Sequence, residues 1–113
     1  MGIGPVFELS RCVRANLAAI LNKEKIRVDE VNTNRVLFRR RLGCILGNRV
    51  THADKTFIWL TSPKSHAVNP FLWLFDARLN TQIERLLTSN GAKPTAWGEF
   101  YRMFDQVSKG DHT

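Results

Sequence analysis

Apolar residues recur along the chain with two different periods. Val6, Leu9, Val13, Leu17, Ile20 and Leu21 follow one another at three- and four-residue steps, with Pro5 suited to a first helical position. That spacing predicts an amphipathic helix over about 5–23. Between Ile26 and Asn34 the pattern is short: Asp29 suits the cap of a small helix containing Val31, and Thr33 or Asn34 suits the cap of the next. From Arg35 to Leu46, Phe38, Leu42 and Ile45 fit a helical stripe while Val36 and Leu37 fall off it. A strand alternates no better there, because Arg39, Arg40 and Arg41 would occupy both of its faces. A helix over 34–46 is therefore expected.

The period then changes. Arg49-Val50-Thr51-His52 and Thr56-Phe57-Ile58-Trp59-Leu60 are β-branched and aromatic runs on either side of Ala53-Asp54-Lys55, which predicts a hairpin ended by Ser62-Pro63. Asn69-Pro70 opens a second long stripe of Leu72, Phe75, Leu79, Ile83 and Leu86, and Asn90-Gly91 closes it, giving a helix over about 70–89. Thr95 suits the cap of a last helix bearing Trp97, Phe100, Tyr101 and Phe104, and Lys109–Thr113 is expected to fray. The sum is a mainly α chain with one β-hairpin, an α+β class.

At 113 residues the chain is expected to form a single domain that buries roughly two thirds of its unfolded surface. No leader with a basic start and an apolar block is visible, and Ala67–Phe75 falls far short of the roughly 20 apolar residues of a membrane span. Cys12 and Cys44 are too few for a disulfide scaffold or a zinc site; they are expected to be reduced, buried and at home in a cytoplasm.

Charge divides the chain. Residues 1–66 carry 12 Lys+Arg against 5 Asp+Glu, whereas 67–113 carry five of each. Within 33–64, Arg35, Arg39, Arg40, Arg41, Arg49, Lys55 and Lys64 face only Asp54. Seven of the eleven aromatic residues lie instead in the neutral last 47 positions. Concentrated cation rewards a polyphosphate partner, since each neutralised phosphate releases condensed counterions, and the planar arginine fork pairs with phosphate or with a guanine edge. Asn34, Arg35, Arg39, Arg40, Arg41, Asn48, Arg49 and Lys55 are thus the candidate nucleic-acid contacts. A helix, a short helix, an arginine-bearing helix and a hairpin in that order, over 5–61, resemble the winged-helix form of the helix-turn-helix. The resemblance implies that the 34–46 helix enters the major groove and that the hairpin around Asp54-Lys55 is the wing.

The aromatic part, 69–108, reads as a packing and dimerisation element. Phe71-Leu72-Trp73-Leu74-Phe75 is apolar around the whole helix, more than one core-facing stripe requires, so Phe71, Trp73, Phe75 and Trp97 are candidate dimer contacts. Catalysis finds no support: His52, His66 and His112 form no recognisable metal set, Ser10 and Ser65 lack a nucleophile motif, and Gly2-Ile3-Gly4 opens no phosphate loop. No cofactor or metal is expected. The leading expectation is a small dimeric DNA-binding regulator, sequence-specific or architectural. One alternative is a module docking an acidic protein surface; another is single-stranded RNA binding with Phe38, Phe57 or Trp59 stacking on bases.

Overall fold

The computed structural model describes residues 4–61 and 70–103. The elements run β1 (Val6–Leu9), α1 (Arg11–Asn22), β2 (Arg27–Asn32), β3 (Arg35–Arg39), β4 (Cys44–His52), β5 (Lys55–Leu60), α2 (Pro70–Ser89) and β6 (Lys93–Thr95). A further helical segment occupies 97–103. The strands form one antiparallel sheet in the order β2-β3-β4-β5-β1-β6. This overturns the mainly α, winged-helix reading: no helix spans 34–46, and four of the strands form a meander of three hairpins.

Each correction has a local cause. The stripe Val6, Leu9, Val13 crosses an element boundary. Val6–Leu9 is a strand, Ser10 is an extended N-cap accepting the Val13 N–H at 3.2 Å, and only then does α1 begin. The short helix expected after Ile26 is β2. In 35–46, Val36 and Phe38 point to the buried face while Leu37, on the other face, is half-buried. The three arginines do not share a strand: β3 ends at Arg39, and 40–43 turn the chain, with the Arg40 N–H donating to the Gly43 carbonyl at 3.1 Å. Gly43 sits there at φ +115°, 3.0 Å from the Phe75 carbonyl for any added Cβ, so a side chain fits neither the backbone nor the space.

Other expectations hold. The hairpin turns at Ala53-Asp54, both in the left-handed region (φ 49° and 66°) as a two-residue primed turn requires. Its first strand begins earlier than expected, at Cys44. The second long helix has the expected bounds. It ends in a Schellman motif: Gly91 and Ala92 donate to the Thr88 and Leu87 carbonyls at 3.1 and 2.9 Å. Thr95 lies in β6 rather than capping the helix that follows. Asn69, Ser62-Pro63, Phe104 and the 109–113 tail lie outside the described residues, as do Lys64, Ser65, His66 and His112. Both cysteines are exposed rather than buried, because Cys12 lies on the solvent side of α1 and Cys44 follows the turn at the sheet's end.

Helices α1 and α2 cover one face of the sheet. Under them Phe7, Leu9, Val36, Phe38, Ile45, Ile58 and Leu60 meet Val13, Leu21, Leu79, Ile83 and Leu87. The face opposite, here the outer face, carries Val6, Phe57 and Trp59 at its β5–β1 side. There Phe100, Trp97 and Met103 of the last helical segment close a second cluster. Phe100 stands edge-on to Phe57, Trp59 and Trp97 at centroid distances of 5.4, 5.4 and 5.5 Å.

Candidate nucleic-acid interface

Strand register decides which cations share a surface. Arg27 lies opposite Arg39, and Asp29 opposite Leu37, in the β2–β3 ladder; Leu37 lies opposite Leu46 in β3–β4. With alternation, Arg27, Arg35, Arg39, Asp29, Leu37, Leu46, Asn48 and Val50 all belong to the outer face. Among the described residues no helix covers this β2–β4 part. Arg27 and Arg39 are neighbours at the end where β3 turns into β4, and Arg35 lies about 13 Å along β3 from Arg39 at the strand rise.

The same end of the sheet carries the rest of the triplet. Arg39, Arg40 and Arg41 line a cleft of about 410 Å³ with Gly43, Cys44, Leu72 and Asp76. Helix α2 sets its floor, because the buried Asp76 carboxylate accepts the Cys44 N–H at 2.8 Å. Arg40 reaches back to α2 and donates to the Gln82 side-chain carbonyl. Arg39 makes only a 3.8 Å contact with the half-buried Asp29, which also meets Arg27 at 3.5 Å, and both arginines are largely exposed. Such contacts contribute little and leave both guanidiniums able to turn to a ligand. Among the described residues Arg35 and Arg41 have no ion partner. Partial desolvation against the cleft pushes the exposed Cys44 thiol above its ordinary pKa; the Arg39 cation opposes this, and Asp76 and Asp29 add to it.

The remaining expected contacts are occupied by the fold. Arg49 lies on the helix-covered face, donates from Nε and Nη2 to the Thr33 carbonyl at 3.2 and 3.1 Å, and pairs with Glu30, so it clamps the β2–β3 turn. The Asn34 N–H donates to Asn32 Oδ1 at 2.8 Å in that turn. Asn48 donates its amide to Thr61 Oγ1 at 2.7 Å. Lys55 pairs with Glu8 at 3.3 Å, across the sheet in β1. The expected set thus separates: Arg39 and Arg41 lie at the end of the sheet that carries Arg27, and Arg35 shares the outer face further along β3 beside Asn48, whose amide is held by Thr61. Arg40 turns to α2, and Asn34, Arg49 and Lys55 are engaged elsewhere in the fold. Arg27 was missed, though its place two residues before Asp29 in an alternating stretch was a strand signal.

The stacking residues fare differently. Phe38 and Phe57 are buried, and Trp59 is held by Trp97 and Phe100, so none is a base platform. Of the candidate dimer contacts, Phe71 and Trp73 are exposed and Phe75 is half-buried. Trp97 belongs to the intramolecular cluster, its Nε1–H donating to the Gly4 carbonyl at 3.1 Å. Among the described residues no group of three His, Cys, Asp or Glu side chains could hold a metal, and no helix is long and apolar enough to cross a membrane. Comparison with family models, with curated proteins and with solved structures gives no match.

Proposed function

We propose that this chain is a small nucleic-acid-binding protein of the architectural kind, which holds the phosphate backbone on its uncovered sheet surface rather than reading bases with a helix. One observation carries the reading. Arg27, Arg35, Arg39 and Arg41 gather on the outer face and its β3–β4 rim, where the acids are Asp29 and an Asp76 already committed to a backbone N–H. Guanidinium forks suit phosphate oxygens, and a sheet face with no free aromatic among the described residues offers contacts to the backbone more than stacking to bases.

The test is an anisotropy titration of random duplex DNA, single-stranded DNA and RNA at two salt concentrations. With about four phosphates neutralised, log K against log salt should fall with a slope of about −3.6 on duplex. Arg39→Ala/Arg41→Ala should weaken binding at least tenfold on every sequence alike, while Lys55→Ala leaves it unchanged. Parent-like binding by the double variant, or affinity indifferent to salt, overturns the reading. A second reading is favoured by the half-buried Leu37 and Leu46 among these arginines, which suit an acidic protein surface. It is supported instead if no nucleic acid binds at moderate salt and one acidic protein co-purifies.

A further inference from the structure

The sheet has two edges, and they are built differently. β6 is three residues long and contains Pro94, which has no N–H to offer a neighbour. β2 runs for six residues without proline, and its ladder with β3 is regular until the irregularity between Glu30 and Asn32. Short length and proline are two of the ways to blunt an edge, and β2 has neither; what it carries instead is charge of both signs and an irregular register at its far end.

Symmetry restricts what could pair with β2. In a second copy joined edge to edge and antiparallel, the twofold axis stands perpendicular to the sheet and keeps outer faces on the same side. Directly opposed residues must then point the same way, so the axis passes through a residue rather than between two. An axis at Asp29 sets Asp29 against its own copy, and axes at Arg27 and Glu30 likewise oppose like charges. An axis at Val28 sets Arg27 against the partner's Asp29 twice over, both on the outer face, with Val28 against Val28 of the partner subunit. Opposite charges directly across antiparallel strands stabilise, and like charges destabilise.

We infer that β2 pairs antiparallel with β2 of a second copy, centred on Val28, to give one continuous twelve-stranded sheet. The inference rests on register and charge and does not depend on the nucleic-acid reading. Where both hold, the two sets of Arg35 and Arg39 lie on one surface and the tract of phosphate they cover doubles, while Arg27 is engaged by the partner's Asp29.

Charge exchange tests it. The parent's mass in solution, followed by light scattering from low to high micromolar protein, should rise from monomer to dimer. Arg27→Asp alone and Asp29→Arg alone should each remain monomeric, because each opposes like charges at both contacts. Mixed one to one, they should form a dimer, since every contact then joins opposite charges. A variant that merely misfolds would not be rescued by mixing, and circular dichroism of each alone checks folding directly. A parent monomeric throughout, single variants that associate as the parent does, or a mixture that stays monomeric would each overturn the pairing.

Discussion

The β5–β1 side of the sheet and its β2–β4 side share one hydrogen-bonded ladder but differ in what lies on the outer face. Around Phe57 and Val6 that face is closed by Trp97, Phe100 and Met103, and both strands read as nearly continuous buried runs. Across β2, β3 and β4 it carries arginines, with leucine and valine half-buried among them. Closing both faces stabilises the first side; leaving one open gives the second a surface on which a partner can compete with water. Stability and the proposed binding thus fall on opposite sides of a single sheet.

The largest effects should fall on the closed side. Phe100→Ala removes the ring that touches Phe57, Trp59 and Trp97 and should cost about 3–4 kcal/mol in urea unfolding. Leu37→Ala, on the open side, should cost about 1 kcal/mol or less. Comparable losses at the two positions would erase the distinction. Next comes Arg49→Ala, which frees the Thr33 carbonyl and Glu30 and should cost about 1 kcal/mol. Arg35→Ala, with no ion partner among the described residues, should stay within about 0.5 kcal/mol while lowering polyanion affinity. The smallest effect has the opposite sign. Helix α1, which leads into the open side, ends in the same Schellman pattern as α2: Lys25 and Ile26 donate to the Asn22 and Leu21 carbonyls, both at 3.0 Å. There, however, Lys25 holds φ 63° where α2 has Gly91. Lys25→Gly should therefore raise stability by about 0.5–1 kcal/mol; no gain in melting temperature would mean the strain is relieved elsewhere.

Sequence revealed what depends on one period and local signals. Helix α2 has a single 3.6-residue stripe and a glycine stop, and the β4–β5 hairpin has β-branched runs about a tight turn. Strand β3 concealed itself because Leu37 is half-buried opposite Val36 and Phe38, which erases the alternation that identifies a one-sided strand. Strand β1 concealed itself because its four residues run straight into α1 with apolar spacing that fits either element. The basic region was legible as composition, but its ion partners were not. Glu8 lies 47 residues from Lys55 and Glu30 lies 19 from Arg49, so only the register of the folded sheet reveals which cations are already engaged.

The position of β1 bears on how the molecule is made. Strands β2 to β5 join neighbours through short turns and can zip up as they are synthesised. The first strand, by contrast, docks on the far edge of that array, beside β5, with Phe7 opposite Ile58 on one side and Pro94 of β6 on the other. A nascent chain must hold β1 unpaired until some fifty later residues have emerged, and loop closure over that span slows folding. Production of this protein should accordingly be most vulnerable during translation, before β5 is available to receive β1.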